Sequence, residues 1–244
     1  MNSANFDFRH DLSEFLSPAR RGSAFDYPFS ENPSIKHLIE AMGVPHTEVS
    51  VIRVNGTAVQ LSYRVQHGDR IEVYPAAQPD GDQLALEPRF ILDNHLGQLA
   101  TYLRMLGFDT LYRNDYQDDE LSLVAVQEGR ILLTRDRRLL MRKTIVYGHC
   151  LRSHDPRQQL CDVLRRYDLV GKITPFQRCL RCNHPLQPVS KESVLGRLEP
   201  LTELYYDEFH LCPACDQIYW KGSHYEHMQG LIESATHQGG ENVK

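Results

Sequence analysis

The stretch Arg130-Ile-Leu-Leu-Thr-Arg-Asp136 constrains this chain most. Ile131 to Leu133 form an unbroken apolar run, the pattern of a strand buried on both faces, and a parallel sheet covered by helices buries its strands in this way. Gly129 stops a helical pattern just before the run, and Asp136 stands just past its carboxyl end. Ligands of open α/β sheets bind outside the carboxyl ends of the strands. A run of the same form, Phe90-Ile-Leu-Asp93, lies upstream and also ends in a carboxylate. The expectation is one sheet that carries both strands and brings Asp93 and Asp136 to the same edge.

Residues 89–170 alternate strand and helix around these runs. Phe90–Asp93 reads as a strand. Leu96–Leu106 reads as a helix, with Leu96, Leu99, Ala100, Leu103 and Leu106 at helical spacing and Gly107 at its C-terminal cap. Phe108–Tyr112 reads as a second strand. Asp118 or Asp119 suits the N-cap of a helix over Glu120–Glu128. Ile131–Thr134 is the third strand, Arg137–Met141 a short helix, and Thr144–Tyr147 the fourth strand. Asp155-Pro156 opens a last helix through Tyr167, with proline at its first position. Repeated βα units imply a parallel sheet between helix layers, a three-layer α/β/α domain.

The first 85 residues have a different rhythm. Phe6 and Phe8 suggest an opening strand. Ser34–Met42 reads as a short helix that Gly43 ends. Val49–Val54 and the alternating Val59, Leu61 and Tyr63 read as strands across an Asn55-Gly56 hairpin, and Ile71 and Val73 alternate in a further strand. Strands around one helix define a β-grasp fold. Val51-Ile-Arg-Val-Asn-Gly56 and His67-Gly-Asp-Arg-Ile-Glu-Val-Tyr-Pro75 are similar to the small ubiquitin-like sulfur carriers. Those carriers act through a free C-terminal Gly-Gly, whereas this unit runs on through Pro79-Asp-Gly81, so it reads as a partner-binding or substrate-positioning module. Residues 78–88 read as the linker.

No apolar run approaches the roughly 18 residues that span a bilayer, so no membrane partner is expected. The first residues lack the basic-then-apolar order of a secretory signal, and a cytoplasmic protein is the expectation. The net charge is −5, yet residues 130–181 hold 13 Lys and Arg against 4 Asp and Glu. That basic region suits a polyanion.

The chemistry follows from the carboxylates and cysteines. Clustered carboxylates repel one another, and a hard divalent cation relieves the repulsion. Asp93, Asp118 (or Asp119 one residue on) and Asp136 are the candidates to hold Mg²⁺ or Mn²⁺, which favour carboxylate oxygen. Asp136 equally suits the N-cap of the helix that follows it. Arg135, Arg137 and Arg138 surround Asp136, and Arg104 lies on the preceding helical pattern; these four are the candidates to hold a phosphate backbone. Cys179, Cys182, Cys212 and Cys215 form two Cys-x-x-Cys pairs, the donor set of a closed tetrahedral zinc ribbon over residues 171–234. Cys150 and Cys161 read as buried apolar side chains. His224 and His227 read as structural histidines, Trp220 and Tyr225 as ribbon packing, and residues 235–244 as a disordered tail.

Taken together, Phe90-Ile-Leu-Asp-Asn-His-Leu-Gly-Gln-Leu-Ala100, Leu103-Arg-Met-Leu-Gly-Phe-Asp109, Asp118-Asp-Glu-Leu121, Gly129–Asp136, Pro175–Asn183 and Tyr219–Tyr225 resemble the PIN-like ribonuclease domain named after the C-terminal region of the Mut-seven exonuclease. Bacterial members of that family can carry a ubiquitin-like N-terminal domain. The resemblance implies Mg²⁺- or Mn²⁺-dependent RNA cleavage with Asp93, Asp118 and Asp136 as the acidic residues. The alternative from the same basic surface is a non-catalytic RNA- or ribosome-associated binding protein. The partner of the N-terminal unit is not specified by the sequence.

Overall fold

Strands β1 (Asn2–Phe8) and β2 (Phe25–Phe29) precede helix α1 (Ile35–Ala41), and strands β3 (Val49–Val54), β4 (Thr57–Val59) and β5 (Arg70–Pro75) follow it. The chain then alternates through β6 (Phe90–Leu92), α2 (Gly97–Met105), β7 (Thr110–Tyr112), α3 (Asp118–Gln127), β8 (Ile131–Thr134), α4 (Arg137–Leu140), β9 (Gly148–Cys150) and α5 (Pro156–Arg166). It ends with β10 (Gln187–Val189), α6 (Pro200–Tyr205), β11 (Phe209–Leu211) and β12 (Ile218–Trp220). The computed structural model describes residues 1–76, 88–222, 225 and 230, so the expected linker up to residue 87, the tail, His224 and His227 lie outside the described residues. The elements gather into two compact units, Met1–Ala85 with Gln117–Cys150, and Leu86–Tyr116 with Leu151–Lys244.

In the first unit, five strands form a sheet in the order β2-β1-β5-β3-β4. The central β1–β5 pair is parallel and the others antiparallel. Ala4, Phe6 and Phe8 alternate inward along β1, and Ile35, Leu38 and Ile39 of α1 are buried with them. Ser34 caps α1 by accepting the His37 N–H. Asn55 and Gly56 have φ of 52° and 85°, the two left-handed residues that a tight hairpin turn requires. Strand β2 was not anticipated, because Pro28 interrupts its pattern. Proline removes a ladder donor, and the fold accommodates it by placing β2 on the sheet edge.

The same unit includes the parallel pair β8–β9, in which Leu132 faces Gly148 and Thr134 faces Cys150. The fourth strand is therefore Gly148–Cys150, a correction to the expected Thr144–Tyr147. Ile145 is buried, but Val146 and Tyr147 are 67% and 49% exposed, so the β-branched run forms a turn. Gly148 is needed in the strand itself, since a Cβ there would lie 2.5 Å from the Leu140 side chain.

Buried polar bonds tie this pair to the β-grasp residues. Glu48, 4% exposed, accepts the Cys150 N–H at 2.6 Å and faces His149 Nδ1 at 3.1 Å. The His46 ring lies between Glu40 at 2.7 Å and the Ile145 carbonyl at 2.9 Å.

In the second unit, β6 and β7 run parallel, Phe90 opposite Thr110. Leu99, Ala100 and Leu103 of α2 are buried, and α2 packs against α5. Asp155 caps α5 through the Arg157 N–H, with Pro156 at its first position as expected. Gly107 ends α2 at φ 97°, and a Cβ there would lie 2.1 Å from the Thr174 carbonyl oxygen. Strands β10, β11 and β12 form an antiparallel sheet over a small core of Val194, Phe209 and Ile218. The mixed α/β class with an N-terminal sheet, parallel strands and a terminal cysteine cluster is the one expected. Among the described residues, no helix is long and apolar enough to cross a membrane.

Candidate functional site

Three of the acidic candidates, Asp118, Asp119 and Asp136, lie in the first unit. Asp136 directly follows the fully buried β8 with one residue between, and is exposed. Its backbone N–H donates to Thr134 Oγ1 at 2.9 Å, and its Oδ1 accepts the Arg138 N–H at 2.7 Å. Asp136 thus caps α4, with its backbone held by Thr134 and its carboxylate by the Arg138 N–H. Asp118 and Asp119 are not caps. Helix α3 begins at Asp118, Gln117 holds the cap position without a side-chain bond, and both aspartates lie in the first turn. There they favour the positive end of the helix dipole. Arg142 bridges them, 3.5 Å from Asp118 and also hydrogen-bonded to Asp119. The sequence reading missed Arg142, which sits in the turn after α4 with no motif to single it out.

Asp93 belongs to the second unit. It follows β6 and is half-buried, and its Oδ1 accepts the Asn94 N–H at 2.6 Å. The Asn94 carbonyl accepts the Tyr112 hydroxyl at 2.9 Å. Gly97 leaves room for that ring, since a Cβ there would lie 2.7 Å from the hydroxyl. Asn94 Oδ1 is buried without a hydrogen-bond partner among the described residues. A buried acceptor left in this state calls for a donor or a cation.

The arginines divide by use. Arg135 and Arg138 are exposed. Arg137 is committed within its unit: its Nη1 donates to the Phe15 carbonyl at 2.8 Å, and its guanidinium lies 4.9 Å from the centre of the Phe15 ring. Arg104 is 4% exposed. Its Nε donates to the Thr110 carbonyl at 2.9 Å, and its Nη1 donates to the carbonyls of Leu180 at 2.9 Å and Arg181 at 3.2 Å. Burial lowers its pKa, opposed by the nearby Cys179 and Cys182. Arg104 therefore presents no side-chain surface for a phosphate.

Arg104 reaches the first cysteine knuckle, and further bonds fasten the same place. Asn183 donates to Asp109 at 2.8 Å and accepts the Thr110 N–H at 2.9 Å. Arg178 lies 3.4 Å from Asp109. Asn183, with φ 66°, holds the left-handed position that closes the knuckle turn, and Asp216, with φ 61°, does so in the second knuckle. Each knuckle also closes through a backbone N–H of its first cysteine, to the His184 and Gln217 carbonyls respectively.

The four sulfur atoms of Cys179, Cys182, Cys212 and Cys215 all lie within 4.8 Å of one another. Cys179 and Cys215 are 3.5 Å apart, and Cys182 and Cys212 are 3.4 Å apart. Sulfurs around tetrahedral zinc at ~2.3 Å stand ~3.8 Å from each other, so the cluster can hold zinc. Burial pushes the Cys179 thiol up, but the Tyr219 hydroxyl at 3.2 Å and the N–H groups of Cys182 and Arg181 outweigh it and draw the thiol down to about 6. Burial and the neighbouring thiols push Cys215 up to about 12. The Tyr219 hydroxyl and the Cys182 and Arg181 N–H groups thus favour the Cys179 thiolate, the form that binds zinc.

A five-stranded β-grasp sheet, parallel strands alternating with helices, and a ribbon closed by four cysteines define a ubiquitin-like module joined to an α/β domain with a cysteine ribbon. The family model for the Mut7-C RNAse domain matches residues 88–232, and that for the Mut7-C ubiquitin domain matches residues 1–90. The chain belongs to the Mut7-C RNAse domain family. No curated protein and no solved structure matches it.

Proposed function

We propose that the protein is a metal-dependent endoribonuclease that hydrolyses RNA phosphodiester bonds. The observation that carries this reading is the Mut7-C RNAse match over residues 88–232. Within that span, carboxylates follow β6 and β8 and open α3. Asp93, Asp118 and Asp136 would hold Mg²⁺ or Mn²⁺, with Asp119 as the adjacent substitute for Asp118. The donor set suits such an ion, since both cations take carboxylate oxygen and Asn94 leaves a buried Oδ1 unpartnered beside Asp93. When bound, the ion supplies an activated water and offsets the charge that develops on the phosphodiester.

The chain's own groups prepare the site. The Arg138 N–H orients the Asp136 carboxylate, and Thr134 holds the Asp136 backbone. Arg142 screens Asp118 and Asp119 in the absence of the ion; an exposed pair of this kind is worth about 0–1 kcal/mol, so a divalent cation displaces it at little cost. Arg135 and Arg138 hold the RNA backbone without reading its sequence. The β-grasp module serves to bind a partner or position the substrate.

The test is cleavage of a labelled single-stranded RNA by purified protein in Mn²⁺. Asp136→Asn is expected to lower the rate by roughly 100-fold or more, the scale of losing one preorganised charged group. Asparagine still caps helices well, so the melting temperature is expected to hold. Cleavage at the parent rate by the Asp136→Asn variant removes the assigned role.

A further inference from the structure

A cavity of about 440 Å³ opens within the second unit, between α2 and the cysteine ribbon. Four aromatic residues, Phe176, Tyr219, Trp220 and Tyr225, line it together with Arg178 and Gln217. Its size falls within the range of ligand sites, roughly 300–1,000 Å³. None of the carboxylates discussed above lines it.

The rings are held in place by backbone conformation, ring contacts and hydrogen bonds. Phe176 has φ 63°, in the left-handed region where a bulky side chain is disfavoured. The fold keeps it there, with its ring stacked 5.1 Å from His210 and tilted against Tyr225 at 5.3 Å. Backbone strain of this kind collects at ligand sites. Tyr219 is fixed by its hydroxyl, which meets Cys179 Sγ at 3.2 Å and accepts the Leu180 N–H at 3.2 Å. Gly222 keeps space beside Trp220, since a Cβ there would lie 2.9 Å from the indole nitrogen.

The occupant follows from faces and charge. Every nucleobase has a π-face, and single-stranded RNA is bound by stacking unstacked bases on aromatic rings. The flanking phosphates then need cations. Arg178 is in the wall, where it lies 3.4 Å from Asp109 and donates to the Asn183 carbonyl at 3.4 Å. Arg181, next in sequence to the lining residue Leu180, is exposed and has no side-chain ion pair or hydrogen bond among the described residues. We infer that this cavity binds an unstacked base of single-stranded RNA, with the aromatic rings on the base and Arg178 and Arg181 on the adjoining phosphates. The inference rests on the reading that RNA is the substrate, and assigns that substrate a contact away from the reacting carboxylates.

Trp220 is the single tryptophan of the chain and lines the cavity, so its emission reports occupancy. Full-length zinc-loaded protein is titrated with a 2′-O-methyl oligouridylate octamer, which resists cleavage, and with an abasic octamer of the same length. The uridylate is expected to quench Trp220, and the abasic oligomer is not. Tyr225→Ala is expected to weaken the uridylate by about tenfold, as loss of one stacking platform does, with zinc content unchanged. Phe176→Gly removes a ring and relieves the left-handed strain, so weaker binding with a held or raised melting temperature separates lost stacking from unfolding. Constant Trp220 emission, equal quenching by the abasic oligomer, or parent affinity in both variants overturns the inference. Cleavage in Mn²⁺ is measured on the same preparations. Cleavage with a silent tryptophan removes the base pocket and leaves the nuclease; base-dependent quenching without cleavage keeps the pocket and removes the nuclease.

Discussion

Arg104 and Arg137 carry the same group on helices of the same matched family domain, one in each compact unit. Each fastens a neighbouring module. Arg104 gives three hydrogen bonds to backbone carbonyls, two of them in the first cysteine knuckle, and is 4% exposed. Arg137 gives one bond to the Phe15 carbonyl and covers the Phe15 ring from the exposed start of α4. The difference lies in what water can replace. Of the Arg104 bonds, the one to the Thr110 carbonyl is fully buried, so that carbonyl would lose its partner without compensation, whereas the Arg137 bond is half-buried like the two to the knuckle. Arg104 is therefore a fixed structural joint, and Arg137 a modest one on the face that carries Asp136.

Stripping metal from the cysteine cluster is the largest perturbation available to this comparison. Structural zinc supplies on the order of 10 kcal/mol to small domains, and the knuckle that receives Arg104 is closed by Cys179 and Cys182. The protein is expected to contain about one zinc per chain. A strong chelator should red-shift Trp220 emission, which reports on β12, while much of the far-ultraviolet dichroism from the first unit persists. Unchanged tryptophan emission after complete zinc loss contradicts a metal-held ribbon.

Arg104→Ala comes next. Losing charged donors to buried carbonyls is expected to lower stability by about 3 kcal/mol, seen as an earlier denaturant midpoint by Trp220 fluorescence. Arg104→Lys should recover only part of it, since a single ammonium cannot reproduce the guanidinium fork. Arg137→Ala is the smallest effect, about 1 kcal/mol or less, as expected for a surface cation on an aromatic ring. Equal losses for Arg104→Ala and Arg137→Ala in the same denaturation experiment erase the distinction drawn between them.

Much of the fold was open to sequence reading because the local signals were strong. Ser34 and Asp155 mark helix starts with caps that the structure contains, and Asn55-Gly56 marks its hairpin. Four cysteines in two spaced pairs have few other arrangements, and their sulfurs do gather. The errors fell where local preference and packing disagree. Thr144–Tyr147 is β-branched and aromatic yet turns outward, while the weakly strand-forming Gly148-His149-Cys150 pairs with β8. Propensity yields there to Glu48, which accepts the Cys150 N–H from 102 residues away.

The sequence by itself determined the order of modules, the capping residues and the donor sets, because each depends on neighbours a few positions apart or on residue chemistry alone. Tertiary structure alone decided which basic groups remain available. Arg104 and Arg138 have equal charge and comparable settings in the sequence, yet Arg104 is enclosed by Thr110, Leu180 and Arg181 while Arg138 stays in solvent. The physical reason is that burial of a side chain is fixed by segments distant along the chain, and no local pattern encodes which carbonyl will need a donor.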